Sequence, residues 1–130
     1  MIELRHITKT FFLGEQQVHA VNDVALTIEN GEYISIMGPS GSGKSTLLNL
    51  IALLDRPTSG QYRFDGGDVT DLSDDELAAI RRLAIGFIFQ SFHLLARLSA
   101  SQNVELPLTL AGVARRERQA KVALALEATG

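Results

Sequence analysis

Gly38-Pro39-Ser40-Gly41-Ser42-Gly43-Lys44-Ser45-Thr46 decides the fold, because the chain changes periodicity across it. Upstream, residues 33–37 read as a strand; downstream, Leu47, Leu48, Leu50, Ile51 and Leu54 recur at helical spacing with no proline until Pro57. The local order is strand, glycine loop, helix. The stretch satisfies the pattern of Gly, four residues, Gly-Lys-Ser, and each part has a physical role. Glycines let the backbone curl so that successive amides converge on phosphate oxygens. Lys44 adds a point charge at the β and γ phosphates, Ser45 offers a hydroxyl to Mg²⁺, and Thr46 supports the α phosphate. The helix beginning near Lys44 turns its unpaired amides toward the same anion. A glycine-rich turn that binds nothing is the competing reading, and the match at every fixed position between a strand and a helix speaks against it.

Working outward, Ile2, Leu4 and His6 alternate with charged neighbours, as do Val24, Leu26 and Ile28, and both runs read as half-buried strands. Asn30-Gly31 tolerates positive backbone dihedrals, so the local expectation is an antiparallel hairpin joining the second run to residues 33–37. After the turn Asp55-Arg56-Pro57-Thr58-Ser59-Gly60, Tyr62 and Phe64 suggest a short strand. Ser73-Asp74-Asp75-Glu76 fits a capping box, opening a helix that presents Leu77, Ile80 and Leu83 or Ala84 on one face. Residues 85–89 read as another strand with Gln90 at its end. Residues 91–109 are apolar but aperiodic and are interrupted by Pro107, so no element is assigned there. Residues 115–129 are alanine-rich, free of Pro and Gly, and place Val122, Ala125, Leu126 and Thr129 within one helical face, with Gly130 as the residue beyond it.

Composition narrows the function classes. The chain has 130 residues, enough for one domain with a core but not for two full ones. Twelve basic and 15 acidic side chains give a formal charge of −3, and no basic groove that could track nucleic acid is apparent. Cysteine is absent, which removes disulfides and thiolate chemistry. The first residues show no secretory pattern and no apolar run reaches the length of a membrane span, so membrane association is expected through a partner. His93 has no carboxylate or second histidine at ligand spacing, and His6 and His19 are no better placed, so none reads as a metal ligand or general base.

Beyond the loop, Leu54-Asp55-Arg56-Pro57-Thr58-Ser59-Gly60, Ile80-Arg81-Arg82, Gly86-Phe87-Ile88-Phe89-Gln90 and Asn103-Val104-Glu105-Leu106-Pro107-Leu108 follow in order. With Ser40-Gly41-Ser42-Gly43-Lys44-Ser45-Thr46-Leu47-Leu48-Asn49 they make the chain resemble the ATP-binding subunits of ABC transporters of the lipoprotein-release and macrolide-export type, whose relatives include a cell-division ATPase. The resemblance runs along essentially the whole chain. It implies an α/β P-loop NTPase fold, the ABC ATPase cassette, with an N-terminal antiparallel β subdomain and a core left incomplete. It further implies a β subdomain and phosphate-loop portion over about residues 1–90 and the start of a helical subdomain over about residues 91–130.

The same resemblance assigns roles. Gly38, Ser40, Gly41, Ser42, Gly43, Lys44, Ser45 and Thr46 would hold ATP; Lys44 and Gln90 would act in catalysis; Ser45 and Gln90 would meet Mg²⁺. Gln90 would be the Q-loop glutamine, touching the metal or the attacking water and relaying movement to a transmembrane permease. Phe11 falls where the family stacks an aromatic on adenine, while packing of Phe11 or Phe12 within the small sheet is the alternative. Phe89 is expected in the core, and Phe92, His93 and Leu94 near the permease-facing surface. Two cassettes of the family sandwich ATP as a dimer, at the cytoplasmic face of the inner membrane through the permease. The family's Leu-Ser-Gly-Gly-Gln signature, magnesium aspartate, catalytic glutamate and switch histidine do not occur in these 130 residues. A protein consisting of them alone is therefore expected to be marginally stable and to show negligible turnover. Two smaller departures are Ala52, where glycine is frequent, and Ser101-Gln102-Asn103-Val104 in place of Leu-Glu-Asn-Val.

The expectation is thus an ATPase that powers a membrane export or lipoprotein-release complex. The alternatives are a regulatory ATPase signalling through a permease-like partner in cell division, and a nucleotide-binding fragment without turnover. A small nucleotide kinase would need a mobile basic lid, and Arg115, Arg116 and Arg118 instead fall on a helix where a solvated charged face is the plainer reading.

Overall fold

The computed structural model describes residues 1–129, which form two compact units, Met1–Phe87 and a second beginning at Ile88. In the first, β1 (Ile2–Leu13) and β2 (Gln16–Ile28) make a long antiparallel hairpin that turns at Gly14, where φ is +63°. β3 (Ser59–Phe64) pairs with the other edge of β1, and β4 (Gly67–Asp68) closes an antiparallel sheet of order β2-β1-β3-β4. α1 (Lys44–Ile51) and α2 (Asp74–Ala84) complete the unit. The core joins Leu4, Ile7, Val21, Leu50, Leu53, Tyr62, Val69 and Leu77, so β1, β2, β3 and both helices converge on one apolar cluster.

His6 does not continue the alternation begun by Ile2 and Leu4. It sits at φ +52° in a bulge where β1 shifts register against β2, and the buried position moves on to Ile7. The opposite bulge residue, Asp23 at φ +50°, meets His6 Nδ1 at 2.7 Å in an exposed pair. Gly60 accommodates the kink, because a Cβ there would lie 2.4 Å from the His6 carbonyl oxygen.

Residues 33–37 and 85–89 are not strands, contrary to expectation. The turn at Gly31 is present, with φ +81° and a Glu32 amide bonded to the Glu29 carbonyl at 3.1 Å. β2, however, pairs only with β1 and leaves its outer edge open, and residues 33–37 join no ladder among the described residues. A strand exists only through a neighbour that takes its amides and carbonyls. Tyr33, Met37 and Ile88 are accordingly exposed, although Ile85 packs against the core.

α2 carries the expected capping box. Ser73 Oγ accepts from the Glu76 amide, and the Glu76 carboxylate accepts from the Ser73 amide at 2.8 Å. Its face differs in detail: Leu77 is buried and Ile80 partly so, whereas Leu83 and Ala84 are exposed.

The second unit holds α3 (Ala100–Leu110) and α4 (Arg115–Thr129). α3 was not foreseen; it starts with a second capping box, Ser99 with Gln102, and contains Pro107. Pro107 removes one ladder donor, but the helix is held at both ends. Asn103 accepts from the Leu95 amide at 2.9 Å, and Arg118 reaches Glu105 at 2.9 Å and the Val113 carbonyl at 2.8 Å. On α4, Val122 is buried and Leu126 half-buried, while Ala125 and Thr129 face solvent. The helix stop assigned to Gly130 lies outside the described residues.

Candidate functional site

Residues 38–43 bring the chain into α1 through glycines in conformations that other residues adopt at a cost: Gly41 at φ +78° and Gly43 at φ +85°. Gly43 is the N-cap of α1, with no side-chain cap on the helix's first amides. Those amides are therefore available to an anion, and the helix dipole adds to the attraction. Gly43 also has a packing reason to be glycine, because a Cβ would lie 2.0 Å from the carbonyl oxygen of Ala20 on β2. The antiparallel sheet thus seats the loop from one side.

Lys44 folds back across the loop it closes. Its Nζ donates to the carbonyl oxygens of Gly38 at 3.0 Å and Pro39 at 2.7 Å, and lies 3.5 Å from Ser42 Oγ. Two clefts adjoin the loop. One of about 320 Å³ is lined by Ser40, Gly41, Ser42, Gly43, Lys44, Ser45 and Thr46 together with Val18, His19 and Ala20 of β2. The other, about 360 Å³, extends from Ser42, Gly43, Lys44 and Leu47 along β2 toward Ile36 and Met37. A cation, uncapped helix amides and a glycine curl beside an open cleft form an arrangement suited to a polyphosphate.

Phe11 lies near the end of β1, directly across from Val18, which lines the first cleft. It is 40% exposed, and Phe12 is more open. Gln90 belongs to the second unit and is exposed. Phe89 is not in a core: it is 46% exposed and meets the His93 ring edge-on, with centroids 4.6 Å apart. Phe92 and Leu94 are also exposed.

For Mg²⁺, a hard cation that takes oxygen ligands, the loop provides the Ser45 hydroxyl. No group of three or more His, Asp or Glu that could hold a metal occurs among the described residues. No described helix is long and apolar enough to cross a membrane.

Sequence reasoning missed the contribution of β2 to this site, since Val18, His19 and Ala20 belong to no motif and reach the loop only through tertiary packing. It also missed Lys9, whose ammonium meets Asp55 at 2.6 Å and lies 5.1 Å from the Phe11 ring centroid.

The family model described as ABC transporter matches residues 21–130. The chain is 50% identical over 130 residues to an uncharacterized ABC transporter ATP-binding protein, YknY, of Bacillus subtilis, and spans 56% of that protein. It is 52% identical over 123 residues to the macrolide export ATP-binding/permease protein MacB of Hyphomonas neptunium, of which it spans 19%. Among solved structures, the dimeric, post-hydrolysis ATP-binding cassette MJ0796 bound to ADP and Pi superposes with a TM-score of 0.87 at 47% identity, covering 98% of this chain and 56% of that one. The architecture is that of an α/β P-loop cassette with an N-terminal antiparallel subdomain.

Proposed function

The chain belongs to the ABC transporter family, and on that premise we propose that it binds ATP and, within the complete protein, hydrolyses it to drive a membrane export or lipoprotein-release complex. The observation that carries the reading is the loop itself, in which Lys44 Nζ is held over a glycine curl at the uncapped end of α1. In this reading Gly38, Ser40, Gly41, Ser42 and Gly43 enclose the phosphates, Lys44 neutralises the β and γ groups, and Thr46 supports the α phosphate. Ser45 contributes an oxygen to Mg²⁺, which when bound offsets phosphate charge. Phe11 stacks on adenine, and Gln90 serves the metal or the attacking water and couples to a permease. The second unit is the start of the helical subdomain. Hydrolysis proceeds in a dimer of cassettes at the cytoplasmic face of the membrane, a reading supported by the likeness to the dimeric cassette MJ0796.

Export is favoured over a regulatory role by the relatives, several of which are named as macrolide export proteins. The test is reconstitution of the complete protein with its permease in vesicles. ATP-dependent macrolide efflux or lipoprotein release, abolished by Lys44→Ala, is expected. ATP hydrolysis without movement of either cargo, accompanied by a cell-separation defect on deletion, would favour the regulatory reading.

A further inference from the structure

Lys9 has only 14% of its side chain exposed. An ammonium withdrawn from water is costly unless its donors find partners. Two do so at the turn after α1: Nζ donates to Asp55 Oδ1 at 2.6 Å and to the Arg56 carbonyl at 2.8 Å. The remaining partner is aromatic, since Nζ lies over the Phe11 ring, 5.1 Å from its centroid. That distance is within the range of a cation–π contact.

Asp55 is itself fixed by the end of α1. Leu53 takes φ +56°, its amide bonds the Leu50 carbonyl at 3.0 Å, and the Leu54 amide bonds the Asn49 carbonyl at 2.8 Å. This is the paired closure of a Schellman end, formed here around leucine rather than glycine. The turn that follows the helix whose first turn carries Lys44 therefore supplies the carboxylate that holds Lys9. Base and phosphate regions of the site are tied to opposite ends of one element.

We propose that Lys9 is a positioning residue for the nucleotide base: it covers one face of the Phe11 ring, fixes the ring's orientation and leaves the other face for adenine. The proposal rests on the reading of Phe11 as the adenine platform. A cation on one face draws on the ring's π density and eases stacking of an electron-rich base on the other. A ring already held in place also gives up less freedom when the base arrives. Both effects act on the base and neither on the phosphates. A lysine that merely ties β1 to the turn after α1 would influence all ligands alike.

The test compares affinities for ATP and for inorganic tripolyphosphate, which lacks a base, in the complete protein and in its Lys9→Met, Phe11→Ala and doubly substituted variants. Lys9→Met should weaken ATP about two- to thirtyfold, the range of a cation–π contact, and leave tripolyphosphate unchanged. The double variant should bind ATP no more weakly than Phe11→Ala alone, because the lysine acts through the ring. Equal losses for both ligands, or an unchanged ATP affinity where Phe11→Ala shows a selective loss, would overturn the proposal while sparing the platform. A Phe11→Ala variant with no ATP-selective loss would remove the platform, and the proposal with it. If Lys9→Met does not fold, Asp55→Asn replaces it: a selective loss of ATP supports the proposal, and wild-type selectivity overturns it.

Discussion

Replacing Gly43 by alanine separates the two reasons for a glycine at the entry to α1, provided Gly41→Ala is measured beside it. Both positions have left-handed backbone, φ +85° and +78°, so both substitutions carry the backbone penalty of about 1–2 kcal/mol. They differ in their surroundings. A Cβ at Gly41 meets nothing within 4 Å, whereas one at Gly43 lies 2.0 Å from the Ala20 carbonyl oxygen and 3.1 Å from its carbon. Neither backbone atom can rotate away, so the loop and β2 must move apart by more than an ångström. Such overpacking adds about 1–3 kcal/mol, giving about 2–5 kcal/mol for Gly43→Ala. Urea unfolding should show that excess as a lower midpoint at unchanged slope. Because the displaced amides are those that would face phosphate, ATP should also bind at least about tenfold more weakly to Gly43→Ala than to Gly41→Ala, the scale on which small displacements of a site act. Equal midpoints and equal ATP affinities for the two variants would refute the claim that β2 seats the loop.

Three further outcomes follow from other parts of the molecule. Tyr62, 2% exposed, donates its hydroxyl to the Ile51 carbonyl at 2.6 Å, and Tyr62→Phe should cost about 1–2 kcal/mol in unfolding free energy. Burial also raises its pKa above the ordinary 10.0, so the folded state holds the proton more tightly; stability should fall as pH rises above about 10 in the wild type, and less steeply in the variant. Asp68 is held at about 2 by hydrogen bonds from the Thr70 hydroxyl, then the Thr70 amide and Gln61. Its depressed folded value contributes stability above the unfolded pKa that is lost as pH falls toward 2, and Asp68→Asn should flatten that limb of an acid titration. Asn103→Ala should raise hydrogen exchange at the Leu95 amide, whose acceptor it removes, without changing exchange in β1.

The sequence carried the glycine loop leading into α1, α1 itself, β3, the capping box of α2 and the extent of α4, because each depends on local chemistry within a few residues. It did not carry residues 33–37 and 85–89, whose apolar patterns describe strands but cannot supply the neighbour a strand requires. The bulge at His6 was hidden for a related reason: strict alternation assumes unbroken register, and the kink is accommodated by Gly60 on another strand. α3 could have been found from Ser99 and Gln102, the same capping signal that was recognised at Ser73 and Glu76, but Pro107 obscured it. In the site, Lys44 was legible from its motif, whereas Lys9 acquires its partners only when β1 is folded against the turn at Asp55 and Arg56.

The central claim, that residues 38–46 receive the phosphates of ATP, is tested most directly by calorimetric titration of ATP into the wild type and Lys44→Ala. Among the described residues Lys44 bonds atoms of its own loop, the Gly38 and Pro39 carbonyls and Ser42 Oγ, and it takes no part in the apolar core. Its removal should therefore abolish most ATP affinity while leaving the unfolding transition nearly unchanged. Unaltered ATP binding by a folded Lys44→Ala protein would contradict the account.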